Sequence, residues 1–227
     1  MVGAMPLDTT DVLLAAAHAP ELEGLQGMLG KDLRGNLGGV SVAACTVGVG
    51  MPAAAAGTAA ALNSHRPYAL VLLGSYGYYP GASVSMPLLP RAVGRAALVD
   101  QSLMSGTAAL PGPIPESVTF DPGVAECLGS GTGAGPITVA TTLGITTDDG
   151  LAQTLGGQGR HDAENLEAYA VAAACIERGV KVGALLVGTN AVGAEGRAQW
   201  QEHSEQATQV CTNHVIDWLC AGAPGLG

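Results

Sequence analysis

Glu167 lies in the run Asp162-Ala163-Glu164-Asn165-Leu166-Glu167-Ala168-Tyr169-Ala170-Val171-Ala172-Ala173-Ala174. At helical periodicity it shares a stripe with Ala163, Ala170, Val171 and Ala174, and a residue among such neighbours points inward, toward a core or a cleft. A buried carboxylate is costly unless it is paired. Because it only accepts hydrogen bonds, a cluster of ligand hydroxyls would suit it. A structural salt bridge would serve as well, so Glu167 taken alone leaves both uses open. Two other groups offer chemistry, and each has a plain local use. Glu21 lies near Glu23 at an expected helix start, where the dipole favours carboxylates, and Asn190 in Gly188-Thr189-Asn190 reads first as a turn former.

The elements that must position these groups follow from apolar runs bounded by glycine or turn residues. Such runs predict buried strands over Val12 to Ala17, Val40 to Val47, Ala69 to Leu73, Ala96 to Val99, Ile137 to Thr141 and Val182 to Val187. Helices are expected over Met51 to Asn63, over Asp162 to Arg178 with Asp162 as N-cap and Gly179 as stop, and over Arg197 to Leu219. The alternation predicts a three-layer α/β/α sandwich around a central mixed sheet, with residues 1–227 as a single domain. Ser102 to Pro136, which contains Pro111-Gly112-Pro113 and Gly129-Ser130-Gly131-Thr132-Gly133, has weak periodicity and reads as an irregular excursion, either a lid or a surface insertion.

Nineteen acidic against nine basic residues give a net charge of -10, which argues against nucleic acid or an anionic membrane as partner and for a small molecule. Five cysteines form no C-x-x-C pair and have apolar neighbours, as buried thiols of a reducing compartment would. No histidine pair has ligand spacing, so neither a metal nor a cofactor is expected, and His18 and His161 read as surface or supporting residues. Met1 to Thr10 lacks the pattern of a signal peptide and no long uncharged apolar segment follows, so a soluble, cytoplasmic chain is expected.

Three strand ends run into glycine-rich turns, where backbone can approach a ligand closely. They are Thr46-Val47-Gly48-Val49-Gly50, Leu73-Gly74-Ser75-Tyr76-Gly77-Tyr78-Tyr79-Pro80-Gly81 and Val187-Gly188-Thr189-Asn190-Ala191-Val192-Gly193. The first is no phosphate-binding fingerprint, having neither G-x-G-x-x-G nor a Gly-Lys-Ser/Thr ending. Together with the first strand and its Pro20-Glu21-Leu22, with Ala163-Glu164-Asn165-Leu166-Glu167, and with Thr189-Asn190-x-Val192-Gly193 followed by Arg197 and Trp200, their order carries a resemblance. Over nearly its whole length the chain resembles the nucleoside phosphorylase/nucleosidase superfamily, and within it the futalosine hydrolases.

The resemblance implies hydrolysis of the N-glycosidic bond of a purine nucleoside, with futalosine releasing hypoxanthine in menaquinone biosynthesis. It gives Glu167 the ribose hydroxyls, Glu21 the activation of water, and Asn190 the N7 and O6 of a 6-oxopurine. Gly74, Ser75 and Leu166 would line the pocket, with Thr142 and Leu143 as further contributors; Trp200, from its place on the C-terminal helix alone, reads as core or subunit contact. A homo-oligomer is implied by the same resemblance and by the apolar positions of the C-terminal helix. The chain departs from the family pattern at Tyr76, whose ring could fill the pocket, at Leu166 and Ala168, and at Gly94-Arg95. A purine nucleoside phosphorylase and a non-catalytic nucleoside-binding homologue are the alternatives.

Overall fold

The computed structural model describes residues 9–82, 84, 87–130, 132, 135–159 and 161–227; Gly131, Gly133 and the start of the Met1 to Thr10 segment lie outside them. In β1 (Val12–Ala16) every residue is buried, and strand alternation divides them. Leu13 and Ala15 join one apolar core, while Val12, Leu14 and Ala16 join another. The same division holds in β3 (Val40–Thr46), β4 (Ala69–Tyr78) and β9 (Lys181–Ala191). Burial on both faces is what makes these strands read as unbroken apolar runs.

With β2 (Arg34–Leu37), β5 (Pro90–Leu98), β6 (Ser117–Thr119), β7 (Ile137–Thr141) and β8 (Ala163–Glu164), they form one sheet. Its order is β2-β3-β1-β4-β8-β7-β5-β6, and β9 pairs with both β4 and β5. The sheet is mixed: β1 runs parallel to β3 and β4, and β9 runs parallel to β4 but antiparallel to β5.

A 3-10 turn (Ala19–Leu25) leads into α1 (Gln26–Leu29), followed along the chain by α2 (Met51–His65), α3 (Gln101–Met104), α4 (Pro122–Gly129), α5 (Asp149–Gly159), α6 (Ala168–Glu177) and α7 (Gly196–Cys220). Ala54 and Leu62 of α2 with Val171 and Cys175 of α6 cover one face of the sheet. Leu22 and Leu25 of the 3-10 turn, Val124 and Leu128 of α4, and Cys211, Val215 and Leu219 of α7 cover the other. The result is the expected α/β/α sandwich around a mixed sheet. The apolar positions of α7 are therefore consumed within the chain.

Three expectations are corrected. β4 does not end at Leu73, because its ladder with β9 continues through the glycines to Tyr78 with a bulge between Tyr76 and Gly77. The segment from Ser102 to Pro136 is not an excursion throughout: β6 pairs with β5, Asp121 caps α4 through Val124 N–H at 3.0 Å, and Phe120, Val124 and Leu128 are buried. Nor does α6 start at Asp162. That side chain accepts Thr138 N–H at 2.8 Å, and Ala163 and Glu164 stay extended as β8 between β4 and β7.

Candidate active site

Asn165 decides where α6 begins. Its Oδ1 accepts Glu167 N–H at 2.9 Å and Ala168 N–H at 2.8 Å, the work of a capping side chain, while its Nδ2 donates to Ser75 O at 3.0 Å. Glu167 thus sits at the mouth of the helix and not on its stripe. It is nonetheless buried, 6 % exposed, because the Asn165 bonds tie this corner to β4. Gly50 N–H donates to Glu167 Oε1 at 2.8 Å, bringing the turn before α2 against the carboxylate. Burial raises the Glu167 pKa above its ordinary value, the Gly50 bond opposes the rise, and the charge of Glu21 adds to it.

Glu21 is set by the 3-10 turn after β1. Ala17 N–H and His18 N–H donate to its Oε2 at 3.0 and 3.3 Å, and His18 Nδ1 lies 3.0 Å from the same oxygen. Oε1 faces Gly74: a Cβ on that glycine would lie 3.3 Å from it. The bond to Glu21 raises the His18 pKa, against a smaller opposing effect of burial. His18 is therefore a direct neighbour of the carboxylate.

Asn190 stands near the end of β9. Thr189 Oγ1 donates to its Oδ1 at 2.8 Å and its Nδ2 donates to Ala191 O at 2.9 Å. One acceptor site and one donor of the amide are used locally, which fixes its plane and leaves one of each for a ligand. Two glycines give it room. A Cβ at Gly77 would come within 2.9 Å of Asn190 Nδ2, and one at Gly196 within 3.1 Å.

Glu21, Gly74, Ser75, Leu166, Glu167 and Asn190 line one cavity of about 300 Å³. Val49, Gly77, Ile145, Gly196, Arg197 and Trp200 complete its walls. A second cavity of about 380 Å³ shares the Glu21, Gly74, Ser75 and Trp200 wall and extends between the 3-10 turn and α7. Thr142 and Leu143 are not brought to either cavity. Leu143 is 74 % exposed, and it is Ile145, two residues on, that reaches the wall. Tyr76 leaves the pocket open. Its ring is absent from the wall and buried in the core, 1 % exposed, and its hydroxyl donates to Leu89 O at 3.2 Å, with burial pushing its pKa up to about 12.

Trp200, expected in the core or a subunit contact, lines both cavities and donates from Nε1 to Ser75 Oγ at 3.3 Å. The sequence signal for it was its place one turn into the helix that follows Asn190. Cys211 also reaches the second cavity, but its thiol donates to Leu185 O at 3.4 Å and burial pushes its pKa up to about 12, so it is no nucleophile. Among the described residues no group of three His, Cys, Asp or Glu side chains is arranged to hold a metal ion, and no helix is long and apolar enough to cross a membrane.

The arrangement offers two carboxylates with free acceptor capacity and an oriented amide around one cavity, which suits a ligand carrying hydroxyls at one end and a heterocycle at the other. Comparison with known proteins places the chain in a family. Residues 1–217 match the model of the phosphorylase superfamily, and the chain belongs to that superfamily. No curated protein sequence matches it. Among solved structures, the 5′-methylthioadenosine/S-adenosylhomocysteine nucleosidase of Colwellia psychrerythraea, in complex with adenine, is similar with a TM-score of 0.82 at 17 % identity, covering 97 % of this chain and 98 % of that one. The futalosine hydrolase of Helicobacter pylori has a TM-score of 0.78 at 12 % identity, over 91 % of this chain and 96 % of that one. The Neisseria meningitidis 5′-methylthioadenosine/S-adenosylhomocysteine nucleosidase, in complex with methylthio-immucillin-A, has a TM-score of 0.80 at 16 % identity, over 93 % and 99 %.

Proposed function

We propose that this member of the phosphorylase superfamily is a nucleosidase that hydrolyses the N-glycosidic bond of a purine nucleoside, with futalosine as substrate and hypoxanthine as product, in menaquinone biosynthesis. The observation that carries the reading is the convergence of Glu21 and Glu167, far apart in sequence, on one cavity, each with an oxygen left over for a ligand. Cleavage passes through an oxocarbenium-like sugar, so a catalyst gains by holding ribose, supplying water and easing departure of the base.

Glu167 takes the ribose hydroxyls, whose two donors relieve the cost of burying its charge and place that charge near the developing cation. Glu21 Oε1 takes a proton from the water that attacks C1′. The bond from C1′ to the base breaks, its electron pair leaves with the purine, and N7 takes a proton from solvent water. Asn190 accepts from that N–H and donates to O6. The family match over 1–217 supports treating residues 1–227 as one nucleosidase unit. Five free thiols suit a cytoplasmic setting. Val49 and Ile145, both exposed in the cavity wall, and the exposed Leu143 favour a homo-oligomer in which a second copy covers them, which light scattering tests.

Phosphorolysis is the second reading. A phosphate beside Glu21 would be repelled, and the one Lys or Arg in the cavity wall is Arg197, at the start of α7. The test is incubation of futalosine and inosine with the chain, with and without phosphate, followed by chromatography of the base and sugar. Free ribose and phosphate-independent turnover are expected. Ribose 1-phosphate as the sugar product would replace hydrolysis by phosphorolysis, and no base released from either nucleoside would favour a binding protein.

A further inference from the structure

Arg197 has no task in the reaction described above. It opens α7 with its Cζ 5.8 Å from the centroid of the Trp200 ring, three residues on and on the same helix face. The ring is fixed in turn by its bond to Ser75 Oγ. Both residues line the 300 Å³ cavity, whose other ionisable lining groups are Glu21, Glu164, Glu167 and His18. In a chain of net charge -10, a cation at this one point of an acidic cavity needs a reason. Among the described residues the guanidinium makes no ion pair with a carboxylate. A guanidinium packed over a ring keeps the N–H groups of its edge for a carboxylate or phosphate.

We infer that Arg197, held by Trp200, recognises an anionic group carried on the 5′ position of the nucleoside. The inference rests on the nucleosidase reading for its orientation: with the 2′ and 3′ hydroxyls at Glu167 and the base at Asn190, the 5′ substituent is the end of the substrate left to meet Arg197. Without the guanidinium, the carboxylates of the cavity would repel such an anion. With it, one opposed charge selects for the anionic nucleoside and against its neutral analogue. Arg197 is here a specificity residue and takes no part in bond cleavage.

The experiment compares kcat/KM for inosine, inosine 5′-monophosphate and 5′-O-succinylinosine, which ends in a carboxylate. The wild-type chain should favour at least one anionic substrate over inosine by about 10-fold or more, as one charge-assisted contact provides, and the favoured arm tells phosphate from carboxylate. In Arg197→Gln the ratio of anionic to neutral substrate should fall to unity or below, through KM, because the cavity carboxylates are then unopposed, and Arg197→Lys should retain part of the preference because the charge survives without the fork. Raising ionic strength should lower the wild-type ratio toward unity and should not lower that of Arg197→Gln. An absence of anionic preference in the wild type, or an unchanged ratio in Arg197→Gln, overturns the inference.

Calorimetric titration of the same three ligands into Glu21→Gln, with and without Arg197→Gln, decides the matter independently of turnover. If no nucleoside releases base but the anionic ligand still binds through Arg197, the nucleosidase reading fails and the recognition site stands. Equal binding of anionic and neutral ligands in both variants removes the site whatever the turnover.

Discussion

Two corners of the molecule, the end of β8 and the start of α6, each bury a carboxylate, and they are opposites. Glu164 is 7 % exposed and its oxygens are filled: Tyr79 Oη–H donates at 3.1 Å, Thr146 N–H at 3.0 Å and Thr146 Oγ1–H at 2.5 Å. Glu167, three residues on and 6 % exposed, receives one backbone donor, from Gly50, with the Asn165 amide beside it. Burial is the same and satisfaction is not. A filled carboxylate knits β8 to its neighbours, whereas on the nucleosidase reading a half-filled one takes donors that a ligand brings. The number of donors a buried charge already has, more than its depth, separates a structural carboxylate from a binding one.

The largest test of that contrast is Glu21→Gln, because Glu21 too keeps an oxygen free. Turnover should fall by about 100-fold to 10,000-fold while nucleoside binding by calorimetry persists, as loss of a general base requires. Unchanged turnover would mean that another group activates the water. Next comes Glu167→Gln, expected to lower kcat/KM by about 100-fold or more.

The same change should move stability the other way. The folded-state pKa of Glu167 is raised, so the ligand-free protein bears the cost of the buried charge at every pH above that raised value and is relieved of it below the unfolded carboxylate range. At neutral pH, Glu167→Gln should therefore raise Tm in a thermal melt, and a fall in Tm would break the contrast. Glu164→Gln should do the opposite, costing about 1–3 kcal/mol in urea denaturation because donors aimed at a carboxylate lose part of their acceptor.

Asn190→Asp should shift preference from 6-oxopurine toward 6-aminopurine nucleosides by about 10-fold, since a mismatched donor pair costs roughly 1–3 kcal/mol. Competition between inosine and adenosine, with the released bases separated by chromatography, checks it. Greater release of adenine by the wild type would overturn the role given to Asn190. The smallest effect belongs to His18→Ala. His18 has a raised folded-state pKa, so its contact with Glu21 contributes stability that is fully present below the unfolded histidine range and is lost as pH rises through the folded pKa. Melts of the two proteins should differ on the acid side of neutrality and converge on the alkaline side.

Much of this was legible in the sequence because the buried strands announce themselves. β7 begins and ends where its apolar run does, and the long C-terminal helix differs from its expected span by one residue at each end. Glu21, Ser75, Glu167 and Asn190 could be picked out because the glycine-rich turns and the Glu164-Asn165-Leu166-Glu167 run come in an order that resembles a known family. What stayed hidden depended on partners distant in sequence. Asp162 looks like a helix cap until β7 offers Thr138 N–H, and Asn165 looks incidental until its side chain bonds appear. α4 is short and opens with Pro122-Gly123, so only its burial against the sheet makes it a helix worth noticing. Tyr76 reads from sequence as a ring that could fill the pocket because alternation within β4 gives no sign of which face is the open one.

The pairing of β4 with β9 carries a consequence for how the chain acquires its site. Thr189 Oγ1 bonds to Tyr76 O across a separation of 113 residues, and the two strands between them carry Ser75 and Asn190. During synthesis β4 would emerge early and wait, its β9 edge bare, until β9 is made. Closing so large a loop is slow, and an apolar strand with an open edge is a template for other chains. The site therefore assembles last, as the final strand and α7 dock, and a ribosome-stalled chain ending before Lys181 should aggregate and bind no nucleoside, whereas one carrying α7 clear of the exit tunnel should do neither.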